Sequence, residues 1–207
     1  MEIIKDPMEI ERKSMEIIRP YVKDVFTDEA ELKVASRIIH AAGDTDYAKI
    51  IRIDKAAVKS AKNAIFSGKN VYTDVEMVRT GINKKKLAAY GGEVLCKIAD
   101  EEIQKKAKEQ GITRSMAAMR SFGEKLAGAI VAIGNAPTAL FEVLRLVEEE
   151  NILPAVIIGV PVGFVGAAES KALLMKNKKV PYITVEGTKG GSSIAVAAFN
   201  AILYQMN

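Results

Sequence analysis

The chain has 207 residues, 49% of them hydrophobic, enough to bury a full core as one domain spanning 1–207 or at most as two small ones; one is expected. The 30 Lys and Arg against 26 Asp and Glu leave a net charge of +4, spread without the dense basic run of a nucleic-acid arm, which disfavours nucleic acid and suits an acidic small molecule. One Cys and one His exclude an internal disulfide framework and the usual zinc site, so no protein-held metal is expected.

The N-terminal "MEIIKDPMEIERK" carries charge where a secretory signal needs an apolar run, and no stretch is long and apolar enough to span a bilayer. A soluble, cytoplasmic protein without membrane contact is expected. Met8, Ile10, Met15, Ile17 and Ile18 recur near helical spacing and predict a first helix that stops at Pro20. A second helix, from about Asp28 to Ala42, opens on Thr27 or Asp28 as cap and closes at Gly43. "YAKIIRID" reads as a short strand, and Asp54 caps the helix that Gly68 ends. From residue 69 a repeating unit emerges. "NVYTD", "EVLCKI", "GAIVAIG", "PAVIIGV" and "VPYITVEG" are short runs rich in Val and Ile, each followed by a helical pattern. Alternation of this kind predicts an α/β fold, a mostly parallel sheet with helices on both faces behind a helix-rich N-terminal part.

Three of these strands end in glycine-bearing turns that open a helix: "IGNAPTALFEVL", "IGVPVGFVGAAESKALLM" and "EGTKGGSSIAVAAFN". Helix N-termini at the carboxyl ends of parallel strands present unpaired N–H groups, which suits anions. Gly134 and Asn135 lie in the first turn, and Gly190, Gly191 and Ser192 in the third, where the glycines let backbone approach a ligand or simply make tight turns. None has dinucleotide or P-loop spacing. The lone His40 follows Arg37 by three residues, so the two project from one helix face, a cation beside a group that exchanges protons near neutrality. Satisfied packing inside an apolar helix is the competing role for His40. No serine elbow accompanies it, which leaves a hydrolase triad unsupported. Arg114 opens a helix in "TRSMAAMRS", placed to clamp a carboxylate or to lie solvated. Asp74, after Thr73 in "YTDVEMVRTGI", is most simply a helix cap; Ser14 reads as a surface serine; Cys96 as packing; "NKKK" at 83–86 as a solvated face.

In order and spacing, "RIIHAAGD", "TDVEMVRTGI", "TRSMAAM", "AIGNAPTALFEVL", "GVPVGFVGAAESK" and "GGSSIAVAAFNAI" closely resemble the precorrin-8X methylmutase family of corrinoid biosynthesis, including its cobalt-precorrin-8 members, from about residue 7 to the C-terminus. The resemblance implies a Rossmann-like homodimer with its site near the subunit interface. It also implies an isomerase that moves a methyl group from C11 to C12 of the macrocycle in a 1,5-sigmatropic shift, giving hydrogenobyrinate or cobyrinate, with no cofactor and no external methyl donor. The family's catalytic histidine falls on His40, and its substrate-binding serine and arginines on Ser14, Arg37 and Arg114. Thr73, Asp74, Gly134, Asn135, Gly190, Gly191 and Ser192 complete the substrate-binding candidates. The substrate is a polycarboxylate corrinoid, and channelling to neighbouring enzymes of its pathway is a further expectation. Ala42 stands where some relatives have cysteine, and Lys189 at a variable position, a carboxylate contact at most. Two other classes compete: a non-catalytic corrinoid carrier, and a dinucleotide-dependent enzyme, against which the missing glycine fingerprint speaks.

Overall fold

The computed structural model describes residues 3–206; Met1, Glu2 and Asn207, at the ends of the expected 1–207 span, lie outside the described residues. Six strands form one sheet: β1 (Ile51–Ile53), β2 (Val71–Thr73), β3 (Val94–Cys96), β4 (Ile130–Ile133), β5 (Val156–Gly159) and β6 (Tyr182–Val185). Their order is β1-β6-β5-β4-β2-β3, with β1 antiparallel to β6 and every other pairing parallel. The five Val- and Ile-rich runs are the five parallel strands. The strand expected in "YAKIIRID" is shorter than the run, because a helical turn at Tyr47–Ile50 precedes β1.

The helices are α1 (Pro7–Val22), α2 (Glu29–Ala42), α3 (Tyr47–Ile50), α4 (Ala57–Phe66), α5 (Glu76–Gly81), α6 (Lys84–Ala88), α7 (Glu101–Gln110), α8 (Arg114–Phe122), α9 (Pro137–Glu149), α10 (Ala167–Lys176) and α11 (Ser192–Leu203). Every residue of β4 and β5 is buried. Ile130 and Ala132 of β4 join a core with α2, α4 and α11, while Val131 and Ile133 join a second core with α8 and α9. This two-residue alternation between two helix layers is why these strands are apolar throughout instead of alternating. Each fully buried Val or Ile contributes roughly 1.5–3 kcal/mol of transfer free energy.

Helix α1 does not stop at Pro20. It runs to Val22: Pro20 sits exposed in the last turn and forfeits only the bond to the Glu16 carbonyl, while buried Val22 and Phe26 hold the end against the core. Along the sheet the chain's progression reverses between β2 and β4, with β3 outside one and β5 and β6 outside the other. The connections that leave the carboxyl ends of the two strands diverge to opposite faces of the sheet at such a switch point, and that edge is where open α/β folds bind ligands.

Candidate active site

His40 lies in the last turn of α2. Asp28 starts this helix by accepting the amides of Ala30 and Glu31 at 2.9 and 3.0 Å, and Gly43 ends it at φ 63°, a left-handed conformation that favours glycine. Val34, Ala35, Ile38 and Ile39 are buried against the core, which turns Lys33, Arg37 and His40 outward. The imidazole is exposed and, among the described residues, has no hydrogen-bond or ion-pair partner, so the packing role weighed from the sequence does not hold.

One cavity of about 290 Å³ brings His40 together with Ser14, Ile17, Ile39, Asp44 and Thr45. Ser14 arrives on α1, which Ile18 and Val22 seat on α2. Its hydroxyl donates to the Ile10 carbonyl at 2.8 Å, leaving the oxygen to accept from a ligand. Arg37 shares the helix face but not the cavity. It pairs with Glu11 of α1 and lines a larger cavity of about 700 Å³ with Met15, Lys33, Lys62 and Tyr204, which contains neither His40 nor Ser14.

Asp44, four residues past His40, meets the loop that follows β6. Lys189 Nζ donates to Asp44 Oδ2 at 2.5 Å and lies 5.3 Å from the centre of the Tyr47 ring. The hydrogen bond from Lys189 holds the Asp44 carboxyl below its ordinary range, and Asp44 in turn holds the lysine above its own. Beneath this loop Lys171 of α10 is completely buried, and its Nζ donates to the Lys189 carbonyl at 2.5 Å. Burial pushes its ammonium down to about 8.

Asp74 does not cap α5, the helix it precedes. Its carboxylate is fully buried and reaches across the switch point to accept the amides of Gly134, Asn135 and Ala136 at 3.0, 2.9 and 2.7 Å. Burial pushes this carboxyl above its ordinary range, with the three amides pulling against it. Thr73 is equally buried and donates to the Leu95 carbonyl at 3.2 Å. The turn read from the sequence as anion-friendly thus already holds an anion, the protein's own. Asp74 and Thr73 shape the edge and present no atom to it.

Two of the glycines are likewise required by the protein's own packing. A Cβ at Gly190 would lie 2.3 Å from the Val160 carbonyl oxygen, so close packing of two chain segments, not approach to a ligand, requires glycine there. Gly134 packs against the Cα of Ser192, where a Cβ would come within 2.7 Å. Gly191 faces open space, and no side chain caps the N-terminus of α11. Ser192 is nearly buried, and Asn135 is exposed. Arg114 is exposed in the first turn of α8, beside α9, to which the Thr113 and Thr138 hydroxyls link it at 2.9 Å. Cys96 ends edge strand β3 half-buried, its thiol pushed up to about 11 by burial, as packing requires.

These pieces form one line along the carboxyl edge of the sheet. It runs from the His40 cavity through Asp44 and Lys189 to Gly190 and Ser192, on to Gly134 and Asn135, and across Thr138 to Arg114. Sequence reasoning missed Asp44, Thr45 and Lys171. Lys171 alone left a signal: with Ala167, Ser170 and Leu174 it falls on the inward stripe of α10.

The precorrin-8X methylmutase family model matches residues 9–205. The chain is 42% identical over 207 residues to the cobalt-precorrin-8 methylmutase of Methanocaldococcus jannaschii, covering 97% of this chain and 95% of that one. It is 41% identical over 202 residues to the precorrin-8X methylmutase of a Sinorhizobium species, covering 97% and 96%. The solved precorrin-8X methyl mutase of Thermus thermophilus has the same fold, with a TM-score of 0.86 at 36% identity over 95% of each chain. Matched over nearly its whole length in sequence and in fold, the chain belongs to the precorrin-8X methylmutase family.

Proposed function

We propose that this protein is an isomerase whose whole chain works as one Rossmann-like domain, moving the methyl group on C11 of precorrin-8 or cobalt-precorrin-8 to C12. The observation that carries the proposal is an imidazole with no partner among the described residues, lining one cavity with Ser14 at the open edge of the sheet. The carbon–carbon bond at C11 breaks as the one at C12 forms, within one molecule. His40 therefore needs only to lend the macrocycle a proton and take one back, which typically contributes 10²–10⁴-fold in rate. A cavity of about 290 Å³ holds one edge of so large a ring, and the rest lies along the edge toward Arg114. Any cobalt belongs to the substrate, and metal preference lies in ring shape and contacts.

A second copy of the chain completes the site in this proposal. Phe164 and Val165 are 94% and 90% exposed on the loop between β5 and α10, at the same edge, an apolar pair of the kind an interface covers.

Purified protein mixed separately with precorrin-8 and cobalt-precorrin-8 tests the proposal, with the visible spectrum reporting the rearranged conjugation. Conversion is expected, with His40→Ala slower by at least about 10²-fold while the product still binds. Equal turnover by His40→Ala overturns the role of His40. Product binding without conversion by the unaltered protein replaces the isomerase with a corrinoid carrier.

A further inference from the structure

We propose that Lys189 is a specificity-determining residue that binds a peripheral carboxylate of the corrinoid, and that Asp44 occupies it as an internal substitute until substrate takes its place. The inference rests on the function proposed above and adds a residue and an exchange to it. Asp44 lines the cavity that holds His40 and Ser14, and the Lys189 ammonium rests on Asp44. A cation at the rim of the catalytic cavity is therefore present but neutralised.

Three contacts show that the lysine is held in position. Its backbone carbonyl takes the bond from buried Lys171, which fixes the loop from below. Its ammonium stands over the Tyr47 ring, which favours a cation without satisfying its hydrogen-bonding capacity. The close packing of Gly190 on Val160 fixes the next residue. The contact that can change is the one between Lys189 and Asp44 Oδ2: Asp44 Oδ1 accepts the Asp46 amide at 2.9 Å and stays on its turn, while the Lys189 and Asp44 side chains are 50% and 35% exposed. An ion pair this exposed adds little to stability, so exchanging one carboxylate for another costs little. An uncharged side chain on the ring could not make the exchange. Lys189 thereby selects macrocycles whose peripheral acids are still free.

Spectrophotometric titration with the rearranged corrinoid as free acid, and with its methyl ester, tests this on the intact protein and on Lys189→Met, Lys189→Arg and Asp44→Asn. Lys189→Met is expected to weaken free-acid binding roughly tenfold, the scale of one charge-assisted hydrogen bond, and to leave the ester unaffected. Lys189→Arg restores most of the loss. Asp44→Asn, which removes the competitor, tightens free-acid binding about two- to fivefold, scaled to a partly exposed ion pair. If the pair were only a brace between the loop and α2, Asp44→Asn and Lys189→Met would weaken binding alike, for acid and ester, and that result overturns the proposal. Failure of the unaltered protein to bind the free acid overturns the function proposed above, and this inference with it.

Discussion

Replacing Asp74 by Asn changes one atom and should cost about 3 kcal/mol of stability, a figure built from its three hydrogen bonds. Oδ2 accepts Asn135 and Ala136 while Oδ1 accepts Gly134, so the best asparagine rotamer keeps its oxygen toward the first two and turns its NH₂ against the Gly134 amide. One charge-assisted bond is lost, worth roughly 1.5–3 kcal/mol, and a buried amide is left facing a donor, at about 1–3 kcal/mol more; slight relaxation of the turn returns some of this. The two remaining bonds lose their charge assistance. Against a total stability of about 5–15 kcal/mol the loss is large, and in a chain of this size it corresponds to a fall in Tm of roughly 6–12 °C. Urea unfolding followed by circular dichroism reads it as a lower midpoint at unchanged slope. An unchanged midpoint would mean that Asp74 is held protonated, with its O–H already where the NH₂ would stand, and would refute the description of the turn as a carboxylate cradle.

Three further outcomes are expected. Lys171 has its proton affinity depressed to about 8 by burial, so the folded protein releases this proton before the unfolded chain does. Its ionic form therefore opposes folding below about pH 8, and relative to Lys171→Met the protein should gain up to ~3 kcal/mol as pH rises from 7.5 to 10.5; parallel stability curves for the two proteins would contradict this. Gly190→Ala should destabilise more than Gly191→Ala in thermal unfolding, because the first drives a Cβ into the Val160 carbonyl at 2.3 Å while the second meets only the strain of φ 126°, about 1–3 kcal/mol. Phe164→Glu, which buries a charge in the proposed interface, should shift the protein to monomer in sedimentation velocity, and a sedimentation coefficient that does not move would remove this loop from the interface.

Much of the layout could be read from the sequence because it depends on local pattern. The five parallel strands were visible as bounded apolar runs, and the ends of α2 as a cap at Thr27 or Asp28, of which Asp28 is the one used, and a stop at Gly43. That His40 shares a helix face with Arg37 was visible in their spacing, but not that this face points outward, because the flanking residues are apolar enough to suit packing as well. What escaped depends on pairing across the sequence. Asp74 looked like the cap of its own helix, but its partners lie some 60 residues onward, because parallel pairing of β2 with β4 sets the ends of those strands side by side. Asp44 was missed because its partner Lys189 comes to it from 145 positions away, on the loop after β6. The need for glycine at 190 came from Val160, on a neighbouring loop whose distance no local pattern encodes.

Helix α1 carries Ser14, yet of its 16 residues only Ile18 and Val22 are buried, and it rests chiefly on α2. His40, by contrast, stands on a helix fixed in the main core. The two walls of the cavity therefore differ in packing, and amides in α1 are expected to exchange with solvent through openings that leave α2 intact. In the function proposed above, a macrocycle wider than the cavity would have a route in that needs no global unfolding: the wall bearing Ser14 would lift while the wall bearing His40 stays in place.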